Sequence, residues 1–181
     1  MSDWQSIAAN RPLVLVLMGV SGCGKSTIAA LIAGRLHWEF EEGDDLHPAA
    51  NVAKMAAGHP LDDSDRMPWL AKVADWIDER IDAGENGIIT CSALKRSYRE
   101  ILNRRHSGVL FIYLAGSREL IASRITARQG HFMPAGLLDS QFGALEEPTD
   151  DEPAIRVEIG RKPKAIAKSI ISDLHLADLT D

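Results

Sequence analysis

Eight consecutive residues, Gly19-Val20-Ser21-Gly22-Cys23-Gly24-Lys25-Ser26, satisfy the spacing G-x-x-x-x-G-K-[ST] at every fixed position. Glycines at this spacing let backbone N–H groups converge on an anion with no Cβ in the way. A helix starting there would add the positive end of its dipole. Lys25 can reach the β- and γ-phosphates of a nucleoside triphosphate such as ATP, and the Ser26 hydroxyl can ligate Mg²⁺. The expected nucleotide contacts are therefore Gly19, Val20, Ser21, Gly22, Cys23, Gly24, Lys25 and Ser26, with Thr27 behind them.

A second group, Asp44 and Asp45, supplies adjacent carboxylates. Phosphoryl transfer to a hydroxyl needs Mg²⁺ on the phosphates and an acceptor near the nucleophilic oxygen. One aspartate can hold a metal-bound water while the other takes the substrate proton. Asp44 is assigned to the metal and Asp45 to the substrate, and which of them acts as base is left open. On an extended segment adjacent side chains point in opposite directions, so one of the two is expected to face the substrate. Capping of the helix after Pro48 is the competing reading.

Cations occur in two pairs at helical spacing, Lys95 with Arg99 and Arg124 with Arg128. Such groups can orient an anionic substrate or neutralise charge developing on a transferred phosphoryl group. Lys95 and Arg99 are assigned to a substrate carboxylate because they follow a strand. Arg124 and Arg128 are assigned to the nucleotide phosphates, with Arg124 as the catalytic clamp. A solvated helix face is the alternative for each pair.

These groups need a scaffold, and the pattern around them supplies one. Apolar runs at Leu13–Met18, Trp38–Glu41, Ile88–Cys91, Val109–Leu114 and Ile155–Ile159 read as five strands. Helical patterns run over Lys25–Leu36, Ala49–Ala57, Pro68–Ala83, Lys95–Asn103, Arg118–Arg128 and Lys164–Leu174. Strands alternating with helices predict an α/β fold of three layers, a five-stranded parallel sheet with helices on both faces. Ligands bind beyond the carboxyl ends of such strands, which gathers the phosphate loop, Asp44, Asp45, His47, Ser92 and Lys95 around one cleft. The polar stretch Gly130–Pro153 predicts a mobile lid. The whole chain reads as a single domain.

The third strand ends Ile88-Ile89-Thr90-Cys91-Ser92 with no carboxylate, so Mg²⁺ must rely on Ser26, phosphates, water and Asp44 or Asp45. There is no Asn-Lys-x-Asp sequence to read guanine. Both absences favour a small-metabolite kinase over a switch protein or motor. The formal net charge of −6 argues against nucleic acid as a partner. The two cysteines, Cys23 and Cys91, lack metal-site spacing, and reduced thiols suit a cytoplasmic location. No apolar run is long enough to span a bilayer.

Beyond the phosphate loop, several segments resemble the gluconokinases of the small phosphate-loop type, relatives of shikimate kinase. They are Gly43-Asp44-Asp45-Leu46-His47-Pro48, Asn51, Lys54-Met55, Pro60–Leu70, Cys91–Arg99, Gly130–Pro134, Leu138–Phe142 and Leu145-Glu146. The resemblance runs from about Leu13 to Leu174. It implies ATP-dependent phosphorylation of D-gluconate to 6-phosphogluconate by a cytoplasmic homodimer with a closing lid. Gluconate is a polyhydroxy carboxylate. Arg66, Lys95 or Arg99 would take its carboxylate, and Asp45, His47 and Asp65 its hydroxyls, with Lys54 and His131 completing the substrate contacts. A kinase for another small hydroxy acid or nucleotide, or a non-enzymatic nucleotide switch, are the rival readings.

Overall fold

A computed structural model describes residues 4–128 and 135–179 of the chain. Helix α1 (Trp4–Ala9) precedes strand β1 (Val14–Met18), helix α2 (Lys25–Leu36) and strand β2 (Glu39–Glu41). Helices α3 (Ala49–Ala56) and α4 (Asp63–Asp82) lead to β3 (Gly87–Thr90), α5 (Arg96–Leu102) and β4 (Val109–Ala115). Helices α6 (Arg118–Ala127) and α7 (Ala135–Ala144), strand β5 (Ala154–Glu158) and helix α8 (Pro163–Asp173) follow. The strands form one parallel sheet in the order β2-β3-β1-β4-β5, which is the expected α/β architecture.

The central strand shows why its sequence is apolar throughout. Leu13, Leu15 and Leu17 enter a core with Ile28 and Ile32 of α2 and Ile166 and Ile170 of α8. Val14, Val16 and Met18 enter a second core with Trp69, Val73 and Ile77 of α4 and Leu102 of α5. Side chains alternate between faces, and both faces are covered by helices, so no position on β1 can be polar. Parallel pairing also brings the carboxyl ends of all five strands to one edge, where the connecting loops carry the polar residues.

Helix α4 starts at Asp63, five residues before the expected start at Pro68. A reciprocal cap explains this. Asp62 Oδ1 accepts the N–H of Asp65 at 2.8 Å, and Asp65 Oδ2 accepts the N–H of Asp62 at 2.9 Å. Two early amides are thereby satisfied, and the helix continues through Pro68 at the loss of one backbone bond. Helices α1 and α7 were not expected.

The stretch read as one mobile lid is not uniform. Residues 130–134 lie outside the described residues. From Ala135 the chain forms α7, and beyond it the return to β5 is anchored. The Glu146 N–H donates to Leu94 O at 2.8 Å, and Arg96 pairs with Asp151 at 2.7 Å. Arg99 Nε and Nη2 donate to the two carboxylate oxygens of Glu152 at 2.8 and 3.0 Å, with both side chains buried. Its Nη1 donates to Ala93 O at 2.9 Å, steadying a left-handed alanine at φ 46° in the turn after β3.

Removing one partner of a buried ion pair leaves an uncompensated charge in the interior. Glu152→Gln is therefore expected to destabilise the fold by about 3 kcal/mol. Urea unfolding checks this, and a midpoint unchanged from wild type would contradict it.

Candidate active site

The phosphate loop leaves β1 and enters α2. Gly24 precedes the helix in a left-handed conformation, φ 101°. Gly22 is also left-handed, φ 83°, and a Cβ there would stand 2.6 Å from Ile125 of α6. Glycine is thus required both by the turn and by the helix behind it. Among the described residues, the N–H groups of Gly22, Gly24, Lys25 and Ser26 have no protein acceptor. Lys25 curls over the loop, its Nζ donating to Gly19 O at 2.9 Å and Val20 O at 3.1 Å. The exposed Ser26 hydroxyl sits at the head of α2. Converging amides, an ammonium and a hydroxyl fit a polyphosphate carrying a divalent cation. Among the described residues no three His, Cys, Asp or Glu side chains cluster as a metal site, so phosphates and water must complete the Mg²⁺ shell.

Two cavities flank this loop. One, of about 450 Å³, is lined by Gly22, Gly24, Thr27, Arg124, Arg128 and the Gly160–Pro163 turn. The other, of about 430 Å³, is lined by Ser21, Met55, Leu61, Arg66, Ser140 and Gln141, among others. The loop therefore separates a nucleotide side from an acceptor side. Arg124 lies on the nucleotide side, where its Nη2 donates to Ile159 O. Neither Arg124 nor Arg128 lines the acceptor cavity. Arg161 and Lys162 of this cavity carried no signal in the sequence.

The acidic pair occupies a single 3₁₀ turn, Gly43–Leu46, not an extended segment, so the two carboxylates do not simply oppose one another. Gly43 packs so closely on β3 that a Cβ would overlap Thr90 O at 1.8 Å. Both aspartates are exposed. Their fields separate them. Burial pushes the Cys91 thiol up to about 12, and the charges felt there include Asp44, Lys25 and Arg66. Asp45 acts instead on Glu41, whose carboxyl is held above its ordinary value first by burial and then by Asp45. The buried Cys91 thiol, just past β3, thus feels the charges of Asp44, Lys25 and Arg66.

Around this point several expected ligands turn out to be committed elsewhere. His47 is stacked on Trp69, centroids 4.0 Å apart, with its side chain only 4% exposed. Its Nδ1 meets Asn51 Nδ2 at 3.2 Å, which assigns the proton of the neutral ring to Nε2, 3.9 Å from Asp44. Trp69 Nε1 donates to Gly43 O at 2.7 Å, so this stack props up the aspartate turn. Asp65 is the third residue of α4 and closes its capping box with Asp62, and its Oδ2 also takes Lys54 Nζ at 2.6 Å. Arg99 is removed from the cleft by its buried bond to Glu152. Lys95 pairs with Asp63 at 3.0 Å, and the Tyr98 hydroxyl donates to the same carboxylate, holding it below its usual range. Arg66 differs. It lies 5.7 Å over the Tyr98 ring and has no ion-pair partner among the described residues. His131 lies outside the described residues.

The profile of the AAA domain family matches residues 14–148. A gluconokinase of Gluconobacter oxydans is 47% identical over 178 residues, covering 98% of this chain and 100% of that one. The chain belongs to the gluconokinase family. A solved gluconokinase from Sinorhizobium meliloti superposes with a TM-score of 0.83 at 40% identity, covering 93% of this chain and 95% of that one. A sugar kinase from Janibacter superposes at 0.85 with 44% identity, covering 93% and 97%. Family membership agrees with the P-loop kinase fold and with a cleft built on both sides of the phosphate loop. Among the described residues no helix is long and apolar enough to cross a membrane.

Two outcomes follow from this geometry. Lys25→Ala removes the ammonium at the loop and leaves its glycines, so turnover should fall at least ~100-fold in a protein with wild-type circular dichroism. Near-normal turnover would contradict the loop assignment. Burial lowers the pKa of His47, Asp44 opposes that shift and Arg66 reinforces it. The unfolded imidazole takes a proton as pH falls through about 6.5, and the folded one takes it only at lower pH. Stability should therefore decline below that pH. His47→Phe, which keeps a ring on Trp69, should show a shallower decline in Tm between about pH 6.5 and 5 by calorimetry.

Proposed function

We infer that this protein phosphorylates D-gluconate with ATP to give 6-phospho-D-gluconate. The observation that carries the reading is Arg66, a guanidinium with no ion-pair partner among the described residues, which lines the acceptor cavity together with Ser21. A sugar acid has one carboxylate for such a cation and a chain of hydroxyls to reach toward the loop. The 47% identity to a gluconokinase over nearly the full chain supports the same substrate. The reading brings with it Mg²⁺, a cytoplasmic setting and a homodimeric assembly, which rest on the resemblance to that family.

The loop amides and Lys25 hold the phosphates and offset charge on the transferring group. Mg²⁺ would neutralise phosphate oxygens, with Ser26 and Asp44 as its protein-side contacts. Arg66 anchors the acceptor carboxylate, placing a hydroxyl at the other end near Ser21. Asp44 or Asp45, side by side and exposed in one turn, takes the hydroxyl proton or orients metal-bound water. Arg124 and Arg128 contact the nucleotide. Lys95 and Tyr98 fix Asp63 and the ring beneath Arg66.

A panel of acceptors in a coupled ADP-release assay tests the reading. Gluconate should show the highest kcat/KM, ahead of shikimate, other sugar acids and nucleoside monophosphates. Arg66→Ala should raise the gluconate KM at least ~10-fold while the ATP KM stays within about threefold, since a charge-assisted contact to the acceptor alone is lost. A panel in which an uncharged sugar or a nucleotide outranks gluconate would overturn the substrate assignment.

A further inference from the structure

Gln141 of α7 reaches back 120 positions in sequence to the phosphate loop. Its Oε1 accepts the backbone N–H of Ser21 at 2.6 Å, and its Nε2 donates to Ser21 Oγ at 3.0 Å. Both ends of one amide grip one residue. The Ser21 N–H is satisfied by this side chain, whereas those of Gly22, Gly24, Lys25 and Ser26 have no acceptor among the described residues. Ser21 and Gln141 share a wall of the acceptor cavity, and Gly22 and Gly24 line the nucleotide cavity. The contact therefore stands on the boundary that a phosphoryl group must cross.

Helix α7 is fixed at other points as well. Arg118 pairs with Asp139 at 2.9 Å and lies 5.4 Å over Phe142, and Leu138 is buried in the core. The helix ends where the Leu145 N–H donates to Gln141 O at 3.0 Å and the Glu146 N–H donates to Leu94 O at 2.8 Å. These contacts would hold α7 without Gln141. Two hydrogen bonds aimed at the phosphate loop are not needed for that packing.

We propose that Gln141 is a positioning residue for phosphoryl transfer, holding α7 against the Ser21 edge of the loop so that the acceptor hydroxyl, and not water, meets the phosphoryl group. The proposal rests on the phosphotransferase reading above. In the productive step a bond forms between the acceptor oxygen and the terminal phosphorus. The bond from that phosphorus to the bridging oxygen of ADP breaks, its electron pair stays with ADP, and the hydroxyl proton passes to a carboxylate or water. In the competing step a water oxygen attacks instead, giving inorganic phosphate. A loosened α7 admits the second step and misplaces the first.

The test uses the full chain with Mg²⁺ and ATP and reads two rates, phosphoryl transfer to gluconate and phosphate release without acceptor. Gln141→Ala should lower transfer at least ~10-fold and reduce the ratio of transfer to hydrolysis by a similar factor, with the ATP KM within about threefold of wild type. Gln141→Met keeps the length without the polar ends and should show the same fall in ratio, which guards against a folding defect in the alanine variant. An unchanged ratio in a folded variant, whether both rates hold or both fall together, would overturn the proposal and leave Gln141 a packing residue. Should the wild type prefer another acceptor, the substrate reading fails, and the same ratio measured with that acceptor still decides the role of Gln141.

Discussion

Backbone amides of the phosphate loop that find no acceptor among the described residues are a standing cost, and much of this fold is arranged around them. The loop at Gly22 and Gly24 can hold that shape only with left-handed glycines, one of them pressed on Ile125. Lys25 folds back onto the loop carbonyls, so cation and amides arrive at the same place. A polyphosphate is the ligand that turns this cost into binding. Placing the loop at the end of the central strand, between two cavities, makes it the partition across which donor and acceptor can meet.

The distribution of charge follows the same constraint. The chain is acidic overall, with 26 carboxylate side chains against 20 lysines and arginines. Most of the arginines and lysines near the cleft are already matched: Lys54 with Asp65, Lys95 with Asp63, Arg96 with Asp151, Arg99 with Glu152. These pairs build walls. An unmatched guanidinium such as Arg66, stacked on a tyrosine and facing a cavity, stands out against that background more than a count of basic residues would suggest. Selectivity for an anionic acceptor then comes from where neutralisation was left undone.

How much of this was legible in the sequence depended on distance along the chain. The phosphate loop was readable because all its requirements fall within eight residues bounded by a strand and a helix. The five-stranded parallel sheet and the continuous apolar run of β1 followed from local patterns. The role given to Arg99 did not survive, because residue type allowed ligand binding while the partner that claims it, Glu152, lies 53 positions away. Gln141 sits in a segment that resembles the family, yet nothing near it in sequence hinted at Ser21. The 3₁₀ turn of Asp44 and Asp45 was missed because it is imposed by Trp69 and by the close approach of Gly43 to Thr90. Helix α7 escaped notice because its ten residues divide evenly between apolar ones and glycine or polar ones, with no clear helical spacing.

The two outer strands of the sheet carry a further consequence. β2 is three residues long and presents Glu39 and Glu41, and β5 presents Arg156 and Glu158, which bond to each other. Short, charged borders of this kind resist the docking of a foreign strand. The sheet is thus closed to extension at both rims. A copy of the chain would find no long, uncharged strand edge on this sheet to pair with.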